Sequence, residues 1–309
     1  MDHLDSFQYL NKAQHGFRQK RSCETQLITT VNDFATCLNN KQQIDAVLLD
    51  FSKAFDKVDH EGLLLKLKHA GINNTLHSWI RSFLIGRVQQ VIVDGTMSAP
   101  KPVQSGVPQG TVLGPLLFLI YINDISHGLT PGTQIRLFAD DSLLYRTILS
   151  EKDTIILQKD LNKLQEWENI WKMEFHPQKC QVLRITNKRN FIKNTYKIHG
   201  ISLQETYSAK YLGITIDSKL SWKDHINSTS KKANKTLAFL RRNLIDCPQN
   251  IKDCCVKTMV RPILEYGCAV WDPHHAVDID SLEIIQRRAV RFVTGRYKFE
   301  HGTTKHNMN

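Results

Sequence analysis

The stretch LFADDS, residues 137–142, places two adjacent carboxylates between apolar segments. Alternating residues on either side predict a β-hairpin with strands at 134–138 and 142–145 and with Asp140 and Asp141 at its tip. An Asp-Asp pair alone says little, since roughly one is expected by chance in a chain of this length. Its surroundings therefore decide what the pair means.

A third carboxylate occupies a similar position. The apolar residues 46–49 predict a buried strand that runs directly into Asp50. Two acidic strand ends meeting across one sheet would concentrate negative charge, which is costly unless cations bind there. Carboxylate oxygens suit Mg²⁺, and two such ions about 3.5–4 Å apart can hold the attacking and leaving oxygens of a phosphoryl transfer.

The remaining pattern mixes helices and strands without strict alternation. Helical spacing of apolar residues and short alternating runs predict the following elements: helices at 25–38, 61–70, 73–85 and 155–171, and strands near 89–93, 181–186, 195–199 and 209–216. Beyond Trp222 the pattern is helical and basic. This order predicts an α+β fold for the first part of the chain and a boundary near residue 220.

Charge is distributed unevenly along the 309 residues. The chain has 41 Lys and Arg against 30 Asp and Glu, a net charge of +11. Residues 1–150 contribute 14 basic against 13 acidic side chains, whereas residues 151–309 contribute 27 against 17. The second half therefore has either a polyanionic partner or a solvated basic surface, and the charge alone leaves both open.

Composition and targeting signals narrow the class of protein. A hydrophobic share of 41% with 23% charged residues excludes a disordered or collagen-like chain. The longest apolar run, 112–122, is too short to span a bilayer, and no signal peptide opens the sequence. The seven Cys form no C-x-x-C pair, which indicates reduced thiols. We therefore expect an intracellular protein of the cytoplasm or nucleus, neither secreted nor membrane-bound.

Several stretches, taken in order, resemble motifs of reverse transcriptases in the form found in non-LTR (LINE, jockey-like) retrotransposons. Three carry the acidic residues and a Gly/Pro-rich loop: VLLDFSKAFDKVDH at 47–60, SGVPQGTVLGP at 105–115 and LFADDS at 137–142. Four more flank them: QHGFR at 14–18, FHPQKC at 175–180, KYLGI at 210–214 and RPILEYG at 261–267. Their shared order makes the resemblance far more specific than any single match.

The resemblance implies a right-hand polymerase fold with a ferredoxin-like palm, partial fingers and a helical thumb. Carried onto this numbering, the reverse transcriptase domain covers about 1–218. Its parts would be the following: partial fingers at 1–45, a palm with inserted fingers elements at 46–218, a thumb at 219–297 and a tail at 298–309.

The resemblance also implies the chemistry of the site. Asp50, Asp140 and Asp141 would be catalytic and would hold two Mg²⁺ ions, or Mn²⁺ instead, with the main-chain carbonyl of Phe51 as a further ligand. Phe55 stands where the family places a steric gate against the ribose 2′-OH.

Other positions of the motifs would bind substrate and nucleic acid. Arg18 and Arg21 would neutralise the triphosphate, Gln109 and Gly110 would contact the incoming nucleotide, and Lys179 would act as general acid for pyrophosphate. Nucleic acid would meet the primer-grip residues and the basic thumb helix: Tyr211, Leu212, Gly213, Lys231, Lys235 and Arg242.

The function that follows is an RNA-directed DNA polymerase, with an RNA template, a DNA primer and dNTPs as partners. Only about fifteen residues precede Gly16, so an upstream endonuclease and the earlier fingers segments are not expected in this sequence. Two alternatives stay open. One is a decayed, inactive fragment that only binds nucleic acid, and the other is a maturase-like RNA-binding protein of the group II intron type.

Overall fold

The computed structural model describes Leu4 and residues 6–296, which divide into two compact units. The first ends at Tyr207 and the second begins at Ser208. The fingers, palm and thumb boundaries expected from the sequence stay predictions, and the expected tail at 298–309 lies outside the described residues. Within the described part, no helix is both long and apolar enough to cross a membrane. All seven cysteines are unpaired, as predicted.

The first unit contains these helices and strands: α1 (Cys23–Asn39), β1 (Gln43–Leu49), α2 (His60–His69), α3 (Asn74–Leu84), β2 (Val88–Gln89), β3 (Ile92–Val93), β4 (Thr96–Met97), β5 (Lys101–Pro102), α4 (Leu113–Tyr121), β6 (Thr133–Phe138), β7 (Asp141–Ile148), α5 (Glu151–Trp171), β8 (Gln181–Thr186), β9 (Lys197–Ile198), β10 (Ile201–Ser202) and β11 (Gln204–Thr206). A short 3₁₀ turn at Ala54–Asp56 follows β1.

One five-stranded sheet organises this unit, in the order β11-β8-β1-β7-β6. β1 pairs antiparallel with both β7 and β8, and β6 pairs antiparallel with β7. Helix α4 lies between β1 and β6 in the chain, and α5 lies between β7 and β8. Setting β11 aside, this is the βαββαβ arrangement of a ferredoxin-like fold. The predicted α+β class and ferredoxin-like palm are thus confirmed.

The central strand β1 is buried along almost its whole length, and β7 and β8 pair with its two edges. Its one carboxylate, Asp45, is fully buried and is compensated by three neighbours. It accepts hydrogen bonds from Gln43 at 2.8 Å, Tyr196 at 2.7 Å and Arg184 at 3.2 Å. A buried charge is tolerable only when it is paired in this way.

Two strand predictions need correction. The run 209–216 is not one strand, because positive φ angles at Leu212 and Gly213 turn the chain back on itself. The result is an antiparallel pair, β12 (Ser208–Tyr211) and β13 (Ile214–Asp217). The run 89–93 is likewise split between β2 and β3, which pair with β5 and β4 respectively, and a turn at Asp94-Gly95 joins β3 to β4.

The second unit combines this hairpin with helices α6 (Lys223–Asn243), α7 (Gln249–Met259), α8 (Arg261–Glu265) and α9 (Ala276–Thr294). Helix α6 buries one stripe, which includes Ala233, Leu237 and Leu240, against Val260 and Phe292 of the other helices. The helical character predicted beyond Trp222 is confirmed. The opposite side of α6 is left to solvent.

Candidate active site

The strand register brings the three motif carboxylates to one end of neighbouring strands. Leu49, the last residue of β1, pairs with Ser142 of β7, and Phe138 of β6 pairs with Asp141. Asp50 therefore leaves β1 where the β6–β7 turn begins. That turn consists of two residues, Ala139 and Asp140, so Asp141 belongs to the strand and not to the tip.

Electrostatics at this end of the sheet oppose ionisation. Burial, and then the charge of Asp50, raise the pKa of Asp140. Burial, and then the charges of Asp140 and Asp50, raise the pKa of Asp141. Repulsion of this kind between neighbouring carboxylates is relieved when a cation binds between them. The donor set thus fits a hard divalent ion.

The carboxylates at this end of the sheet do not form a complete set of protein ligands for a metal ion. Among the described residues, no three His, Cys, Asp or Glu side chains stand together as a metal site. Mg²⁺ commonly takes only one or two protein carboxylates and completes its shell with water and substrate phosphates. An open carboxylate pair is therefore suited to an ion that arrives with its substrate.

The stretch 175–180 runs beside Asp50 and fixes its backbone. The amide of His176 donates to the Asp50 carbonyl at 2.8 Å, and the amide of Asp50 donates to the Cys180 sulfur at 3.4 Å. Burial raises the pKa of the Cys180 thiol to about 11, so it is neutral. From this segment the Lys179 ammonium reaches to 3.8 Å from a carboxylate oxygen of Asp50. The Phe51 ring stacks on Phe175 with centroids 4.3 Å apart.

The Gly/Pro-rich loop lies against the 3₁₀ turn that follows β1. The amide of Val107 donates to the Phe55 carbonyl at 2.9 Å. The exposed Gln109 donates its side-chain amide to Asp56 at 3.1 Å, and Gly110 follows it on the surface. The Phe55 ring stacks on Phe118. Two segments about fifty residues apart in the sequence, one with the expected gate and one with the expected nucleotide contacts, therefore form a single surface.

Comparison with known proteins agrees with this geometry. Residues 1–216 match the family model described as reverse transcriptase (RNA-dependent DNA polymerase). The chain belongs to the reverse transcriptase family. Membership implies a general dependence on divalent metal ions.

Curated relatives place this reverse transcriptase chain among non-LTR retrotransposon sequences. It is 31% identical over 304 residues to the RNA-directed DNA polymerase from mobile element jockey of Drosophila melanogaster, covering 92% of this chain and 32% of that protein. It is 29% identical over 307 residues to the probable RNA-directed DNA polymerase from transposon BS of the same species, covering 95% and 33%. The chain therefore spans about one third of the length of these relatives.

A solved structure supports the polymerase fold. Apo telomerase from Candida tropicalis matches with a TM-score of 0.54 at 11% identity, covering 95% of this chain and 48% of that one. At this identity the likeness concerns the fold alone. It agrees with the right-hand polymerase class expected for the reverse transcriptase family.

The two arginines expected at the triphosphate are engaged with the main chain in this structure. Arg18 donates to the carbonyls of Leu10 and Asn11 at 3.3 and 3.0 Å. Arg21 donates to the carbonyl of Gln14 at 2.8 Å. Both guanidinium groups thus tie down the segment that precedes them. Their contact with a triphosphate stays a prediction.

The expected primer-grip residues form the β12–β13 turn of the second unit. The Tyr211 ring is buried, so that residue anchors the hairpin, and Leu212 and Gly213 make the turn. The Tyr266 hydroxyl donates to the Leu212 carbonyl at 2.9 Å. A side chain at position 213 would lie 2.8 Å from the Tyr266 ring, so this close packing requires glycine.

The basic residues expected to meet nucleic acid share the solvent side of α6. Lys231, Lys235 and Arg242 are exposed and lie opposite the stripe that α6 buries. Steps of four and seven residues return to nearly the same helical azimuth, which puts all three in one row. The structure thus brings these three together on one face.

Two residues that the sequence did not single out contact the site. Asp56 accepts a hydrogen bond from the Gln109 side chain. In the sequence, only the position of Asp56 within the 47–60 stretch pointed to the site. Gln14 contacts the main chain of Ala139, next to Asp140. It belongs to the QHGFR stretch, in which only Arg18 was expected to be a site residue.

Proposed function

We propose that this chain is the RNA-directed DNA polymerase domain of a non-LTR retrotransposon, which adds dNTPs to a DNA 3′-OH on an RNA template. The observation that carries the proposal is the placement of Asp50, Asp140 and Asp141 at one sheet end, where the charge of Asp50 raises the pKa of Asp140 and the charges of both raise the pKa of Asp141. Family membership and the jockey and BS relatives support the same activity.

The reaction forms a bond from the primer 3′-oxygen to the α-phosphorus of the dNTP and breaks the bond from that phosphorus to pyrophosphate. Asp50 and Asp140 would hold two Mg²⁺ or Mn²⁺ ions, with Asp141 and the Phe51 carbonyl in support. Such ions, when bound, favour the attacking alkoxide and offset charge on the leaving group. Lys179, 3.8 Å from Asp50, would donate a proton to the departing pyrophosphate.

Selection of the substrate would depend on the surface formed by the 3₁₀ turn and the Gly/Pro-rich loop. Phe55 would meet the sugar and exclude a 2′-OH, while Gln109 and Gly110 would contact the nucleotide. Arg18 and Arg21 would exchange main-chain carbonyls for triphosphate oxygens, which suit a guanidinium fork better.

The second unit would hold the primer–template duplex. Its β12–β13 turn would grip the primer end, and the exposed cations of α6 would follow the phosphate backbone. A cavity of about 510 Å³ beside the turn has Lys210 and Lys232 in its lining, which adds positive charge where a phosphate chain would pass.

We also propose that the protein works inside the cell, in the cytoplasm or nucleus, on the basis of its seven unpaired thiols.

Primer extension on poly(rA)/oligo(dT) with purified protein tests the polymerase directly. We expect dTTP incorporation that requires a divalent ion and is absent in Asp140→Asn. Duplex binding by gel shift is measured in parallel. Binding by a folded wild-type protein without any extension would overturn the polymerase proposal and favour the inactive fragment that only binds nucleic acid.

A further inference from the structure

Gln14 is a buried side chain whose amide faces the turn that carries Asp140. Only 2% of Gln14 is exposed. Its Oε1 accepts from the amide of Ala139 at 2.9 Å and from the amide of Gly16 at 2.7 Å. Its Nε2 donates to the Ala139 carbonyl at 3.4 Å. The side chain therefore contacts both polar groups of the residue that precedes Asp140.

The backbone around Gln14 is fixed against the same hairpin. The amide of His15 donates to the Leu137 carbonyl at 2.8 Å, and the amide of Leu137 donates to the Ala13 carbonyl at 3.0 Å. This short parallel bridge aligns residue 14 with the end of β6. A Cβ on Gly16 would lie 2.3 Å from the Ala139 nitrogen, so the approach is as close as a glycine permits.

Ala139 needs such a partner. Its φ of +54° lies in the left-handed region, which a residue with a Cβ adopts at a cost. Ala139 belongs to neither β6 nor β7 and is only 5% exposed, and its N–H and C=O are paired with the Gln14 side chain. A neutral amide can accept from the N–H and donate to the C=O at once, and it does so without adding charge beside Asp140 and Asp141.

We infer that Gln14 is a positioning residue for Asp140: its amide holds the Ala139 peptide and so sets the direction in which the Asp140 carboxylate leaves the turn. The inference rests on the proposed polymerase function, since it assigns Asp140 to the metal-bearing site. In this role Gln14 acts through the Ala139 peptide.

The test variant is Gln14→Met, which keeps the length and the apolar stem and removes all three hydrogen bonds. The matched control is Asn123→Ala. The Asn123 side chain accepts from the amide of Asn11 at 2.7 Å and donates to the Tyr9 carbonyl at 2.8 Å, so its loss loosens the same N-terminal segment without touching Ala139. Both variants are assayed well below their melting temperatures.

For Gln14→Met we expect kcat to fall about 10- to 100-fold, the range found when a residue that orients a metal ligand is lost. The KM for dTTP is expected to stay within about twofold, and the Mn²⁺ concentration for half-maximal activity is expected to rise about tenfold. Asn123→Ala is expected to lower the melting temperature and leave these three quantities unchanged. Equal kcat and metal requirement in folded Gln14→Met and wild type would overturn the inference, as would equal kinetic losses in both variants.

Two measurements separate this result from a failure of the polymerase proposal. Hydrogen exchange of the peptide containing Ala139 is expected to accelerate in Gln14→Met and not in Asn123→Ala. Mn²⁺ binding, followed by electron paramagnetic resonance without substrate, is expected to weaken about tenfold. Both apply even if the wild type extends no primer, and unchanged exchange and Mn²⁺ affinity would overturn the inference. If Gln14→Met does not fold, Gln14→Asn, a neutral amide that is one methylene shorter and does not reach the Ala139 peptide in the same geometry, is measured with the same criteria.

Discussion

The ring of Phe55 lies almost flat on the ring of Phe118, with centroids 4.2 Å apart and 18° between their planes. Phe118 is fully buried in α4, whereas Phe55 is only partly buried. One face of Phe55 is therefore supported by the core, and the part left uncovered is free to meet a ligand. This stack is compatible both with a packing role and with the proposed role of Phe55 as a gate against ribonucleotides.

Replacing the ring separates the two roles. We expect Phe55→Val to incorporate ribonucleotides at least roughly tenfold more readily, because the bulk opposing the 2′-OH is lost. The lost stack costs about 1–3 kcal/mol of unfolding free energy. Primer extension with rUTP and dTTP measures the selectivity, and urea denaturation measures the stability.

Phe118→Leu is the control for that experiment. It removes the supporting ring and lowers stability by a similar amount, but leaves the ring at position 55. We expect it to reject rUTP as the wild type does. A stable Phe55→Val that also rejects rUTP would show that Phe55 is a packing residue only.

Asp140 is expected to lower the stability of the metal-free protein although extension requires it. Because the folded state raises the pKa of Asp140 above its unfolded value, ionisation of this carboxyl costs folding free energy. Asp140→Asn should therefore raise the melting temperature of the metal-free protein while abolishing extension. The gain should be absent at acid pH, grow as the pH rises from the unfolded pKa to the raised folded pKa, and then stay constant.

Divalent ions should reverse that comparison. Mg²⁺ is expected to stabilise the wild type more than Asp140→Asn, since it relieves the repulsion that the variant lacks. Asp94→Asn serves as the control, because Asp94 lies in an exposed turn and is not one of the three motif carboxylates. It should change neither activity nor melting temperature. Destabilisation of the metal-free protein by Asp140→Asn would contradict the argument.

Much of the palm could be predicted because its signals are local. The apolar run before Asp50 and the alternating residues around 139–141 predict the strands directly, and the order of the motifs predicts how they assemble. The break at Leu212 was missed because one Gly inside an alternating run does not distinguish a turn from a continuous strand.

The contacts that complete the site could not be predicted in the same way. Gln14 and Ala139 are 125 residues apart, and an amide bound to a main-chain group leaves no periodic signal in the sequence. The stack of Phe55 on Phe118 depends likewise on tertiary packing. The expected catalytic positions came from the resemblance, whereas the contacts that surround them could be found only in the structure.

The row of cations on α6 predicts a salt dependence. Replacing Lys231, Lys235 and Arg242 together with Ala should weaken binding to RNA–DNA hybrids regardless of their sequence. The slope of log K against log salt should become shallower by roughly two to three, since each lost phosphate contact removes close to one released counterion. Fluorescence anisotropy at several salt concentrations gives the slope.

A triple variant of equal charge controls for the net change. Lys68, Lys152 and Lys159 are exposed on helices of the first unit, and replacing them with Ala removes the same three charges. We expect a smaller change of slope there. Equal slopes in the two variants would show that the cations of α6 form only a solvated surface.

A buried histidine is expected to make the second unit sensitive to acid. His225 is 6% exposed, its Nδ1 accepts from the amide of Thr215 at 3.3 Å, and its ring meets the edge of Trp271 at 4.7 Å. Burial, and then the charge of Lys210, lower the pKa of His225 to about 4. Neutral His225 is therefore the form that the fold accepts.

The sign of the effect follows from the two protonation states. An unfolded chain binds the proton near pH 6.5 and the folded chain only near pH 4, so the stabilisation is complete above pH 6.5 and is lost as the pH falls toward 4. The loss should reach about 2 kcal/mol at pH 5.

In His225→Gln, which cannot be protonated, this part of the pH dependence should disappear, whereas His69→Gln, at an exposed position, should retain it. Urea unfolding at pH 7 and pH 5 measures the difference. An identical pH dependence in His225→Gln and wild type would show that other groups cause the acid sensitivity.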